Sequence, residues 1–534
     1  MPFKKNIPIM VRPWRKQIYF LTFLVFLLVL IIFFELFLRL VGYGIDSHPF
    51  LRDSKRPSYY VINPDFHLKY YPTPVYGDRD LSQSQIFPVF KNPETKRVFV
   101  LGESTPQGFP FAKNQAFPAL AARVLNLSGE NSIELVNISN SAMTSFYVRD
   151  TAPRLLEYAP DALVIYVGHN EYYGNLTVAD GALSFQILLN LQLKESRIFQ
   201  LLFNLLTPPP QGATTLMERQ YAQKIFPTSR KGEDYLIQTY IDNLESAIKP
   251  YVEKNIPVII MSPVSNEMDL PPFNGSDAEE VFKKAATLEE LTLAKDLDHI
   301  PFRARSNLIN ALKASFKGRA GVNILSTLSS LPEEPKTFSN QYFIDHVHFN
   351  WSGQVIVAKE LTMELNRVLN LKDPLDLSPL NSPFSAKSLV FLTPFAEIKA
   401  YSPLKILFSR PPYGPNGPGY SNDLNKLLLE ENFLLKIPTL RSLYEKVSVQ
   451  EFNMDVMNYW IREKDWSAIE TELRSRVWES PSSPTAYMDL AKFILAFPGR
   501  EKEAEDIINE GFRWSGQDFS YKQDFLDYSQ QLGK

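Results

Sequence analysis

Residues 98–109 read VFVLGESTPQGF. Four apolar residues run straight into Gly102-Glu103-Ser104-Thr105. A run of this kind is a buried strand, and what it ends on has two readings. Ser104 caps the helix that follows, in a strand-ending turn of no further consequence. Alternatively, the strand end presents a nucleophile. The rest of the chain repeats the pattern. Apolar β-type runs recur at RVFVLG (97–102), IELVNI (133–138), ALVIYVG (162–168), PVIIMSPV (257–264) and VNILS (322–326). Between them lie helical patterns near 117–125, 147–158, 233–254 and 304–316, and a last one follows at 352–369. Short continuous strands alternating with amphipathic helices predict a parallel sheet covered on both faces. Five strands of this kind suit a doubly wound α/β sheet, which binds its ligands at the carboxyl ends of the strands.

Those ends carry chemistry. After the first strand comes Gly102-Glu103-Ser104, and after the second Asn137-Ile138-Ser139-Asn140-Ser141-Ala142-Met143-Thr144. After the third comes Gly168-His169-Asn170-Glu171, and before the last helix Asp345-His346-Val347-His348. A serine hydroxyl becomes a nucleophile when a neighbouring base takes its proton. His348 is the candidate base. Asp345, three residues earlier, is the candidate group that orients the imidazole and stabilises its charged form. The Asn170 amide and the backbone N–H groups of the turn at Ser104 are candidate oxyanion donors. Each piece has a plain reading alone: a cap, a surface histidine, an ordinary loop. Together, in order and at separate strand ends, they favour a Ser-His-Asp site. His346 competes with His348 but misses the Asp-x-x-His spacing. Asp345, His346 and His348 also read as part of a metal set, without a further convergent ligand. Arg303 and Arg305 read as solvated helix-start residues or as anion binders.

The arrangement resembles the SGNH (GDSL-type) hydrolases over roughly 95–370, most nearly a membrane-anchored bacterial branch reading GEST…GHNE…DHVH with a helical-repeat tail. The resemblance implies a flavodoxin-like three-layer α/β/α sandwich and a Ser104-His348-Asp345 triad acting on esters. It implies an oxyanion hole from the Ser104 N–H, a second backbone N–H and the Asn170 side chain, with no metal or organic cofactor. The sequence departs from the family pattern twice. Glu103 stands where the family has Asp, a longer side chain with a different reach. Ala142 stands nearest the family's second-block glycine; its N–H survives the change, but its φ is restricted. Glu103, Gly168, His169 and Glu171 are candidate pocket residues.

The N-terminus carries the targeting signal. Lys4, Lys5, Arg12, Arg15 and Lys16 precede an uncharged run from Ile18 to Phe34 that stays apolar to Val41. About 20 apolar residues span a bilayer. Glu35 and Arg39, four apart, can pair at its far end. A cleaved signal has a shorter core and small residues at its end; bulky Leu, Arg and Val stand here, which favours an uncleaved anchor. Upstream basic residues favour a cytoplasmic N-terminus, although Arg52, Lys55 and Arg56 follow the segment. With the bacterial resemblance, the expectation is a single-pass inner-membrane protein with its catalytic domain on the periplasmic side.

The expected organisation is a basic tail (1–16), the anchor (17–41), an irregular connecting segment (42–94) and the α/β domain (95–370). That domain carries insertions at 174–232 and 265–300. A Pro-rich linker (371–435) and a helical region (436–534) follow. The apolar stretch 185–206 is expected to form a helix pair packed on the core; a lid or a membrane-resting face is its alternative. Residues 481–512 have helix–turn–helix spacing similar to a tetratricopeptide unit, and a small helical bundle reads equally well.

Composition narrows the functions. The chain has 56 basic and 59 acidic residues, so no basic excess points to nucleic acid. It has no cysteine, which removes disulfides, thiolate metal sites and a cysteine nucleophile. Six histidines carry any imidazole chemistry. The leading expectation is a membrane-anchored serine esterase cleaving an acyl or acetyl ester of a lipid or glycan. Its alternatives are an O-acyltransferase or deacetylase of envelope polysaccharide, and an inactive envelope scaffold whose C-terminal helices bind a protein partner.

Overall fold

The computed structural model describes residues 14–527 except 54–55, 72–84, 128, 130–131, 180, 208–215, 224–225, 227–228, 372–374, 415–431, 445, 447, 482, 516–522 and 525. Most of the basic tail, part of the connecting segment and most of the Pro/Gly-rich stretch 411–420 lie outside the described residues.

The connecting segment carries regular strands that its composition does not predict. Three short strands, β1 (Phe50–Arg52), β2 (Tyr59–Ile62) and β3 (Ile86–Pro88), form an antiparallel sheet in that order. Strands of three or four residues are too short to show a period. Tertiary contacts hold them instead. The rings of Phe50 and Phe87 pack edge-on, and both meet Phe99 and Tyr158. The buried Arg97 guanidinium donates to the Pro88 and Tyr158 carbonyls.

The five predicted strands are all present: β4 (Thr95–Gly102), β5 (Ser132–Asn137), β6 (Ala162–Tyr166), β7 (Val258–Met261) and β8 (Val322–Leu325). They form one parallel sheet of order β5-β4-β6-β7-β8. Relabelled in sheet sequence this is 2-1-3-4-5, the flavodoxin-like order, with its switch point between the first and third strands. Val98 to Leu101 and Ala162 to Tyr166 are fully buried. Each such aliphatic side chain contributes roughly 1.5–3 kcal/mol on burial. Helices Phe117–Leu125 and Trp351–Val368 pack together in one group. Ser145–Leu155, Arg230–Glu253 and Ser306–Phe316 form another, giving the three-layer α/β class.

Among the described residues one helix, Gln17–Leu40, is long and apolar enough to cross a membrane, and almost all of it is exposed. At the other end, helices Val449–Glu463, Trp466–Glu479, Pro484–Leu495 and Glu501–Ser515 pack each on the next. This helical region touches the α/β domain. The Trp478 indole N–H donates to the Asn114 carbonyl at 2.7 Å, and Asn114 donates back to the Trp478 carbonyl at 3.0 Å. The 371–435 segment also carries helices, Pro383–Leu389 and Pro394–Phe408. Proline at the start of a helix costs no hydrogen bond, so Pro-rich composition and helix coexist here.

Candidate active site

Ser104 opens the short helix Ser104–Gln107 directly after β4. Gly102 makes this exit possible: a Cβ there would lie 2.0 Å from the Tyr166 carbonyl oxygen of β6. Ser104 is half-buried and faces the segment that leads into the last helix. That segment is a tight loop. Phe343 bridges Phe349, the Ile344 N–H donates to the His348 carbonyl, and Asn350 caps the Trp351–Val368 helix. The loop thereby turns Asp345 and His348 back toward β4.

The structure brings together the three residues that the strand ends suggest. His348 Nε2 lies 2.7 Å from Ser104 Oγ, and His348 Nδ1 lies 2.6 Å from Asp345 Oδ2. Asp345 Oδ1 accepts the N–H groups of Val347 and His348 at 2.9 and 2.8 Å. With Nδ1–H donating to the carboxylate, the Nε2 lone pair is free to accept the serine proton. Burial would push Asp345 up, but the His348 and His346 imidazoles hold it well below the usual carboxylate range. Phe109 lies over the His348 ring at 4.7 Å, and the Thr105 hydroxyl donates to the Val347 carbonyl at 3.3 Å.

Hydrogen bonds tie the loops that carry the oxyanion candidates to one another and to the Ser104 turn. The 137–142 loop is tied to the Ser104 helix. Asn140 N–H donates to the Gly102 carbonyl, Asn137 to Pro106, and Ser141 to Gln107. Ala142 has φ +62°, the left-handed region where glycine is favoured. Its carbonyl accepts from Asn175 N–H at 2.9 Å. Among the described residues, neither the Ser104 nor the Ala142 N–H has a protein acceptor. Asn170 Nδ2 donates one hydrogen to the Met143 carbonyl at 3.0 Å, which orients the amide and leaves its second N–H available. Ala142→Gly is expected to raise stability by about 0.5–1 kcal/mol, because it relieves left-handed strain of about 1–2 kcal/mol at some cost in unfolded-chain entropy. A denaturant midpoint measures it.

The remaining candidates serve the frame. Glu103 is buried under the third-strand loop, and its carboxyl accepts Asn170 N–H at 3.1 Å and His169 N–H at 3.4 Å. The longer acid thus ties the end of β4 to the end of β6. Burial pushes it up to about 8, helped by the charge of Glu171 and opposed by those N–H groups. A carboxyl raised above its ordinary 4.5 stabilises the fold fully below that value and loses the contribution as pH rises through about 8. Stability should therefore fall across this window. In Glu103→Gln the fall should be shallower, and chemical denaturation at a series of pH values reads it. Gly168 sits at φ +156°, and a Cβ there would meet Pro263 at 2.9 Å. Glu171, raised by burial to about 7, caps the Ser145–Leu155 helix through the Ser145 N–H and hydroxyl. His169 is buried; its Nδ1 accepts the Ala304 N–H at 3.1 Å, and burial holds it neutral, well below its ordinary value.

Two expectations for charged residues need correction. Arg303 is neither solvated nor free to bind an anion. It is 2 % exposed and donates to the Asn266 and Leu270 carbonyls at 2.8 Å. Arg305 is half-buried, donating to the Asp298 carbonyl and pairing with Glu233. The loop 265–274 needs donors for its carbonyls, and Arg303 supplies them. The ligand atoms of Asp345, His346 and His348 lie within 4.8 Å of one another. However, Asp345 and His348 already spend their lone pairs and N–H on each other and on Ser104. His346 Nδ1 faces the Tyr413 hydroxyl and, at 3.4 Å, Asp345. Tyr413 comes from the Pro-rich stretch 67 residues away, where composition gives no hint of a site contact.

No family model matches the chain, and no curated protein matches it. Solved structures do. A lipase/acylhydrolase from Enterococcus faecalis is 14% identical, with 52% of this chain and 100% of that one covered and a TM-score of 0.28. The acetylxylan esterase Axe2 from Geobacillus stearothermophilus is 16% identical over 52% of this chain and 95% of its own, also at 0.28. A GDSL-like lipase from Bacteroides thetaiotaomicron is 15% identical over 51% and 88%, at 0.26.

Proposed function

We propose that the chain is a membrane-anchored serine esterase acting on an acyl or acetyl ester. The observation that carries this reading is the relay from Ser104 Oγ to His348 Nε2 at 2.7 Å and from His348 Nδ1 to Asp345 at 2.6 Å. Ser104 Oγ attacks the ester carbonyl carbon as His348 Nε2 takes the hydroxyl proton. The carbonyl oxygen gains charge and is met by the N–H groups of Ser104 and Ala142 and by Asn170 Nδ2. The intermediate collapses, the C–O bond to the alcohol breaks, and His348 returns the proton to the leaving oxygen. The acyl group then stays on Ser104 until water, or a sugar hydroxyl in the transferase variant, attacks with His348 again as base.

Retention of the N-terminal helix is supported by its contacts. Glu35 accepts hydrogen bonds from the Ser196 hydroxyl and the N–H groups of Arg197 and Ile198, and Leu38 is buried. A cleaved leader would have no reason to make them. The upstream basic residues favour a cytoplasmic N-terminus, with the α/β domain across the membrane; the bacterial resemblance makes that the periplasmic side of an inner membrane.

The test uses the full-length chain in detergent, exposed to a fluorophosphonate probe and to a p-nitrophenyl acetate assay. Labelling and hydrolysis are expected. In Asn170→Ala, kcat should drop about 10²–10³-fold with KM little changed, because an oxyanion donor acts mainly in the transition state. A folded parent that neither labels nor hydrolyses would return the chain to the scaffold reading.

A further inference from the structure

The insertion after β6 forms a helical hairpin, Ser184–Leu193 followed by Arg197–Leu206. The sequence predicts a helix pair packed on the core, and only part of it does so: Ile187 and Leu191 are buried. The opposite faces are open. Phe185, Leu189 and Leu193 recur at i, i+4 and i+8 along the first helix, and all are exposed. Leu202, Leu205 and Leu206, at i, i+3 and i+4 on the second, are exposed too, the last two 72 % and 79 % exposed. A solvated helix face carries charge. The first helix carries none, and the second only Arg197, at its start.

The hairpin is tied to the far end of the N-terminal helix. Besides the Glu35 cap, Arg39 donates to the Glu195 carbonyl at 2.9 Å. Farther along, Gln200 donates to the Ile45 carbonyl and Asn204 to the Tyr43 hydroxyl, both at 3.2 Å. The Arg197–Leu206 helix is thus fastened at its start and toward its end to residues 35–45. The 24-residue apolar helix is about 36 Å long at 1.5 Å per residue, against a hydrocarbon core of about 30 Å. Its last turn therefore emerges at the lipid–water interface, and a helix fastened there lies at that level.

We infer that the 184–206 hairpin is an interfacial membrane element, with its leucine faces seated among the acyl chains of the bilayer that the N-terminal helix crosses. The inference rests on reading that helix as a retained span. The hairpin turns a flexible tether into a two-point attachment. The buried Lys69 side chain, which pairs with Asp150 at 2.8 Å and also meets Glu195 in the hairpin turn, passes the orientation on to the α/β domain.

The chain lacks cysteine, so single-cysteine variants carry one label each. Full-length Leu189→Cys, Leu205→Cys, Leu28→Cys and Lys283→Cys are labelled with bimane and reconstituted in nanodiscs with brominated acyl chains. Quenching at 189 and 205 is expected within about two-fold of that at 28, as for a helix sunk roughly 5–10 Å into the interface. At 283, on an exposed charged face, none is expected. Quenching at 28 with 189 and 205 behaving like 283 overturns the inference and leaves the anchor standing. No quenching at 28 overturns the anchor reading and the inference with it.

Discussion

Ser104→Ala should abolish fluorophosphonate labelling and lower kcat for p-nitrophenyl acetate by about 10⁴-fold or more, the size of loss seen when a triad nucleophile is removed. The variant should fold as the parent does. Among the described residues the Ser104 hydroxyl has one partner, His348 Nε2, and the backbone bonds of the turn, from the Ser104 carbonyl to the N–H groups of Gly108 and Phe109, do not involve the side chain. Thermal midpoints of parent and variant should therefore agree. Labelling that survives in a folded Ser104→Ala protein would place the reactive hydroxyl elsewhere and sink the assignment.

Asp345→Asn should cost nearly as much by a different route, about 10⁴-fold in kcat. An amide N–H₂ turned toward His348 Nδ1 drives the ring proton to Nε2. The ring then points an N–H at Ser104 Oγ and has no lone pair to receive its proton. The two oxygen atoms also do separate work. Oδ2 meets the imidazole, and Oδ1 holds the Val347 and His348 N–H groups that shape the loop. An asparagine oxygen can still serve the loop, so activity should fall much further than stability. The stability difference has a predictable pH dependence. Asp345 is depressed well below its ordinary 3.8. Its contribution is present above that value and lost as pH falls through the folded value. Parent and variant should thus converge in stability in acid. A variant that keeps full activity at neutral pH would show that His348 needs no acid partner.

How far the sequence carries depends on whether a feature is local. The β4 run and its four sister strands are legible because a buried parallel strand needs only a short apolar stretch, and the chain alternates such stretches with amphipathic helices. Ser104, Asn170, Asp345 and His348 stand out because strand order predicts that their segments share one sheet edge. The long apolar helix at 17–40 is legible from length and hydropathy alone. The strands of the 50–88 segment are not, since a three-residue strand held by Phe50, Phe87 and Tyr158 has no period to detect.

What only the tertiary structure decides are the pairings between distant positions. It puts Glu103 under Asn170 and sets Ala142 at positive φ. It buries Arg303 among the carbonyls of 266–271 and brings Tyr413 to His346. It also fastens the 184–206 hairpin to the end of the N-terminal helix while leaving two leucine faces open. The sequence by itself determined the elements, their order and the residues delivered to the strand ends, because those follow from periodicity and side-chain type within a few residues. The distances that make the delivered residues a relay were decided by packing, because a 2.7 Å contact across 244 positions depends on every layer between them.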